Sequence, residues 1–176
     1  VLRRIADGLF DAALGPFADL SEPAGDPGLF GPGSMAWRVH ANPMSLAVGG
    51  IAAVILELAE PRVRAGVWSH STFPTQPLAR MRRTATAALL TTFGPARLAS
   101  ARIDGVGRMH ARVLGTTPQG EAYDARDPEL CDWVHVTAGF GFLEAYRRLV
   151  EPDLPMHDQD RYWAEGSSVG RAFGAG

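Results

Sequence analysis

The sequence predicts an all-α domain, and three observations lead there. Apolar residues recur at three- and four-residue spacing in four separate segments. Proline and glycine fall between those segments, where helices must start and stop. Alternating apolar and polar runs are almost absent, so sheet is limited to one short hairpin around Gly120.

Each element has a local reason. Leu2 to Ala13 carries Leu2, Ile5, Leu9, Phe10 and Ala13 as an amphipathic stripe. Gly15 to Gly33 is rich in Gly and Pro and reads as irregular, because Pro removes donors while Gly tolerates odd dihedrals. Ser45 to Leu58 is apolar on nearly every side, which marks a buried helix with Asn42 or Ser45 as its N-cap. Pro61 suits the first turn of a short helix through Trp68. Pro77 to Phe93 is a helix stopped by Gly94-Pro95. Arg97 to Leu114 has helical spacing weakened by Gly105 and Gly107, and residues 109–114 also suit a strand. Gly115 to Gly120 is a turn. Asp127-Pro128-Glu129 starts a helix that runs to Val150, and Arg161 to Phe173 is the final one.

Bulk properties narrow the function. A chain of 176 residues with 46% hydrophobic and 20% charged residues is one soluble-type domain with a sizeable core. Net charge is −2, so no broad basic surface for nucleic acid is expected. No apolar run reaches the ~18 residues that a membrane span needs. Asp7 and Asp11 interrupt the opening apolar positions, so these do not read as a signal peptide. The expected location is cytoplasmic, with the natural start expected upstream of Val1. One cysteine, Cys131, excludes an internal disulfide and a cysteine-based zinc cluster.

The candidate site residues are polar groups on apolar helices. In Pro77 to Phe93, Arg80, Thr84, Ala87 and Thr91 share one face, with Arg83 beside them and Leu78, Met81, Ala85, Ala88 and Leu89 opposite. Arg80, Arg82 and Arg83 could form a solvated face; alternatively Arg80 meets an anion in a bidentate pair. If its segment is helical, His110 shares a face with Ile103, Val106 and Val113. Such a histidine is either a hydrogen-bonded core group or a metal ligand. His135 shares a face with Cys131, Ala138, Gly139, Phe142 and Tyr146, and burial with a hydrogen-bonded ring nitrogen is expected. His70 falls in the Ser69-His70-Ser71 loop, where exposure is the default. A two-histidine, one-carboxylate iron site from His70, His110 and His135 has no supporting local spacing. The chain has no P-loop, no Gly-x-Ser-x-Gly and no His-Glu-x-x-His.

In their order, these pieces resemble one known family. They are Phe30-Gly31-Pro32-Gly33-Ser34 with Trp37-Arg38-Val39; Gly49-Gly50; Pro61 and His70-Ser71-x-Phe73; Arg80-x-x-x-Thr84; Phe93-Gly94; His110-x-x-Val113-x-Gly115; Gly120-x-x-Tyr123-x-Ala125-x-Asp127-Pro128; and Trp133-Val134-His135. The family unites latex clearing protein, a rubber oxygenase, with the membrane-bound MpaB-type oxygenase of mycophenolic acid biosynthesis. The resemblance covers roughly Phe30 to Gly170. It implies an all-α fold around one haem b, with His110 as the proximal iron ligand. It implies that Arg80 and Thr84 serve haem retention or catalysis, and that Arg83, His135 and His70 border the cofactor. It further implies O2 and an apolar, isoprenoid-type small molecule as reactants.

Two departures stand out. The rubber oxygenases carry a Lys just before the matched Thr, able to close the sixth iron position; here that residue is Arg83, whose guanidinium stays protonated. Family members usually continue past Gly170-Arg171-Ala172-Phe173 with further helices, so part of the pocket or its cover is expected beyond this chain. The expectation is therefore a haem-dependent oxygenase-like domain spanning residues 1–176. The rival is a non-catalytic helical binder of haem or another hydrophobic ligand.

Overall fold

The computed structural model describes residues 25–176. The expected helix Leu2–Ala13 lies outside the described residues. Those residues form seven helices and one hairpin: α1 (Met35–His40), α2 (Pro43–Glu57), α3 (Pro61–His70), α4 (Pro77–Phe93), α5 (Ala96–His110), β1 (Leu114–Thr116), β2 (Ala122–Asp124), α6 (Pro128–Leu149) and α7 (Met156–Ala172). The all-α expectation holds, and the hairpin sits where Gly120 placed it, with Gly120 at φ 88°.

Proline sets the helix starts. Four helices carry Pro in the first turn, and α5 and α7 follow Pro95 and Pro155. Its missing N–H removes a donor that would be orphaned there anyway. Asn42, Glu60 and Asp127 accept first-turn N–H groups of α2, α3 and α6. Gly94 ends α4 as expected.

Three boundaries differ from expectation. Helix α3 runs past Trp68, so His70 is its last residue rather than a loop residue. Helix α5 stops at His110, because Arg112 and Val113 bond back only three residues and the chain then enters β1. Val113 therefore leaves the helical face assigned to it. Helix α7 starts at Met156, five residues before Arg161, because Pro155 begins it. Along α4, Leu78 is exposed and the expected apolar side is buried only from Leu89 onward.

The core forms around α1. Met35, Val39, Leu143, Tyr146, Leu154 and Tyr162 pack together, with Phe142 and Trp163 beside them. Glu165 of α7 accepts the N–H groups of Met35 and Ala36 at 2.7 and 3.2 Å, which ties the start of α1 to α7. Helices α2 and α6 run antiparallel in close contact, with Gly49 against Gly141 and Trp133 Nε1 donating to the Glu57 carbonyl at 3.2 Å.

His40 at the end of α1 is buried against this core. Thr92 Oγ1 donates to the Ala88 carbonyl, so it accepts from His40 Nδ1 at 2.8 Å; Tyr162 O–H then donates to Nε2 at 3.2 Å. Burial pushes its pKa down to about 4. Below the unfolded value near 6.5, the unfolded chain takes up a proton that the native state refuses. This stability is present above pH 6.5 and is lost as pH falls toward 4, by up to about 3 kcal/mol. Urea titrations of wild type and His40→Gln should show their stability difference narrowing over that window. Parallel pH profiles would refute the assignment.

Candidate functional site

Four elements bring ionisable groups together where the C-termini of α2 and α5 approach the first half of α4. Glu57 ends α2 and is 7% exposed. It is the lone carboxylate of an otherwise apolar helix. Burial raises its pKa to about 7, and the nearby Arg80 guanidinium opposes that rise. A carboxyl poised there can hold or release a proton near neutrality. Since the folded pKa lies above the unfolded one, its stabilising contribution is present below pH 4.5 and lost as pH rises toward 7.

Arg80 is half-buried on α4, with its guanidinium 6.0 Å from the Phe73 ring centre. No carboxylate among the described residues comes within ion-pairing distance of it. It acts on two groups through space, Glu57 and His110. Thr84 is exposed, and its hydroxyl donates back to the Arg80 carbonyl at 3.2 Å. Arg83 is exposed and donates to Thr72 Oγ1 at 2.7 Å.

His110 is half-buried as the last residue of α5, on the side of that helix that buries Ala99 and Ile103. Burial lowers its pKa, Arg80 lowers it further, and Asp124 of β2 partly offsets both. The neutral imidazole, the form that binds metals, is thereby favoured. Its ring makes no hydrogen bond among the described residues.

His70 stands apart. It is exposed, and its Nε2 lies 3.2 Å from Tyr123 Oη. It lines a hollow of about 440 Å³ with Gly105, Arg108, Met109, Arg112 and Val113. That hollow opens on the side of α5 away from His110. A second hollow, about 280 Å³, adjoins Trp133 and Val136. Neither is lined by Arg80, Thr84 or His110.

His135 is half-buried, and its ring is seated on Gly166 and Gly170 of α7. A Cβ on Gly170 would come 2.7 Å from that ring, which accounts for glycine there. The expected ring hydrogen bond is not formed among the described residues: the ring fits by van der Waals contact with two glycines, and burial lowers its pKa. Phe142 of the same face packs on His40 in the core, and Phe140 is exposed.

The structure thus brings Arg80 and His110 together and adds Glu57, which the sequence reading passed over. The available signal was one carboxylate in fifteen otherwise uncharged residues. It leaves Thr84, Arg83, His70 and His135 outside the cluster. Among the described residues, no group of three or more His, Cys, Asp or Glu side chains could hold a metal ion, so any metal here would need ligands of its own. No single described helix is long and apolar enough to cross a membrane.

With this geometry in hand, comparison with known proteins gives one match. A family model described as "ER-bound oxygenase mpaB/B'/Rubber oxygenase, catalytic domain" matches residues 37–176. No curated protein and no solved structure matches the chain.

Proposed function

Because the chain belongs to the family of mpaB-type and rubber oxygenase catalytic domains, we propose that it is a haem b-dependent oxygenase acting with O2 on an apolar small molecule. The observation that carries this reading is the pairing of His110 with Arg80. One is a half-buried imidazole held toward its neutral form and without a hydrogen bond among the described residues. The other is a half-buried guanidinium with no carboxylate at ion-pairing distance among the described residues. These donors suit a haem, which offers an iron for the imidazole and carboxylates for the guanidinium.

Each residue then has a task. His110 would hold the iron through a ring nitrogen, and Arg80 would receive a carboxylate of the haem. Glu57, with its pKa raised to about 7, would give a proton to or take one from a bound reactant near neutral pH. Arg83 cannot serve as an iron ligand because its guanidinium stays protonated. Its guanidinium is instead bonded to Thr72. Haem, when bound, supplies the redox chemistry of O2 that no side chain here provides.

Titrating purified protein with haemin tests the proposal directly. The expected result is a sharpened Soret band that saturates at one haem per chain. A spectrum that stays that of free haemin at every ratio would sink it.

A further inference from the structure

Helices α2 and α6 expose an apolar face. Val48, Ile51 and Ile55 of α2 are 43–67% exposed, and Trp133, Val136 and Phe140 of α6 are 39–52% exposed. Each triplet follows i, i+3, i+7 spacing, so each forms a stripe. The two helices are antiparallel and touch through Gly49 and Gly141. Counting about 100° per residue from those glycines, both stripes fall on the same side of the pair.

The two ends of this face carry opposite charge. Where α2 ends and α6 begins, Glu60, Glu129 and Asp132 border the hollow beside Trp133, and Arg62 is the one cation lining it. Arg62 is within 4 Å of four carboxylates, Glu60, Glu121, Asp127 and Glu129, so this end is acidic. At the opposite end, Arg147 and Arg148 near the close of α6 share a single carboxylate, Glu144. One positive charge is left over there, and Arg147 Nε has no hydrogen-bond partner among the described residues. Glu129 and Arg147 continue the Trp133-Val136-Phe140 stripe at its two ends by the same helical spacing.

We propose that a second copy of this chain covers the face, related by a twofold axis that crosses α2 and α6 at right angles. Area and charge select this occupant. Six large side chains about half exposed leave on the order of 500 Å² of apolar surface per chain. Joining two such faces buries on the order of 1,000 Å², which reaches the size that a specific interface needs. A twofold axis for a face-to-face pair can run along the helices or across them. An axis along them sets acidic end on acidic end, and like charges facing each other are costly. An axis across them lays α6 antiparallel on α6 of the other copy. Each acidic end then meets the other copy's basic end, and the apolar stripes meet between. A lipid surface would answer the stripes but not the opposed charges at their ends.

Sedimentation equilibrium of the full 176-residue chain tests this. The expected species is a dimer that weakens as salt is added, because the end contacts are exposed charges. Val136→Asp changes an exposed position, so it should keep the helical circular dichroism and weaken the dimer about 100-fold. Glu129→Lys and Arg148→Glu should each weaken it about tenfold. Mixing those two variants should restore association, because each altered end then meets its complement. A wild-type chain that stays monomeric up to about 100 µM overturns the proposal. So does a Val136→Asp chain that dimerises like wild type, or a mixture no tighter than either charge variant alone. A monomer that binds phosphatidylcholine vesicles, and loses that binding in Val136→Asp, would assign the face to lipid and overturn it as well.

Discussion

Replacing His110 by alanine is expected to abolish the saturable Soret band of haemin-loaded protein while leaving the helical fold intact. The two readouts separate because of where the ring sits. It is half-buried at the last position of α5 and makes no hydrogen bond among the described residues, so little native structure depends on it. The stability cost should be about 1 kcal/mol or less. Loss of the residue proposed to hold the iron is a different scale of effect: even residues that only orient a ligand alter metal affinity by about 10–100-fold. Haemin affinity should therefore fall by more than about 100-fold. Added imidazole should restore part of the band in the cavity left by His110→Gly. Arg80→Ala should weaken retention less, because it removes an anion partner and not the ligand. His135→Ala should keep the band, since His135 lies against Gly166 and Gly170, away from the cluster. An unchanged Soret band in His110→Ala would remove the ligand assignment, and its loss in His135→Ala alone would move it.

The second large effect is expected at the crossing of α2 and α6. A Cβ on Gly141 would sit 2.6 Å from the Gly49 carbonyl oxygen and 3.0 Å from Ala53 N; one on Gly49 would sit 2.7 Å from the Gly141 carbonyl oxygen. These obstacles are backbone atoms, which cannot rotate aside, so the helices must separate. Alanine in a helix otherwise gains about 1 kcal/mol over glycine. Here the clash should outweigh that gain and leave Gly141→Ala destabilised by about 3 kcal/mol. Gly107→Ala is the control: it sits on exposed α5 with no atom within 4 Å of the added Cβ, and should be stabilised by about 1 kcal/mol. The double variant Gly49→Ala/Gly141→Ala should cost less than the two single costs added, because helices already apart accept the second methyl more readily. Urea unfolding followed by circular dichroism measures all four. A Gly141→Ala variant as stable as wild type would show that the crossing adjusts freely.

Loading the crossing also bears on the site. Glu57 closes α2 one turn beyond Ala53, and Trp133 of α6 donates to its carbonyl. Separation of the two helices would expose the Glu57 carboxyl and return it toward an ordinary acidity. Fold and site are therefore coupled through a contact that neither His110 nor Arg80 makes.

Helix limits were legible where the signal is local. Asn42-Pro43, Pro61, Pro77, Gly94-Pro95 and Asp127-Pro128 act within one turn of themselves, by supplying or removing a hydrogen-bond partner. The six-residue α1 was not legible: it is too short to show a period, and its first N–H groups depend on Glu165, 130 positions away. Arg80 and His110 were each singled out in the sequence as polar groups on apolar faces and by the family resemblance; their electrostatic influence on one another appears only in the fold. Glu57 was missed because a carboxylate at the end of an apolar helix reads as a solvated terminus, and only the fold buries it. Thr84 shares a helical face with Arg80 in sequence, yet α4 is enclosed only toward its C-terminal end, so Thr84 meets solvent.

By itself, the sequence determined the all-α class, most helix starts, the Gly94 stop, the Gly120 turn and the family. All of these rest on caps, turns and spacings that operate over a few neighbouring residues. Only the tertiary structure decided which carboxyl has its pKa raised to about 7, which histidine is pushed toward its neutral form by burial and Arg80, and why glycine stands at 49, 141 and 170. Those outcomes depend on burial and backbone contact between segments far apart in the chain. Desolvation and steric exclusion act through space, and no local pattern encodes them.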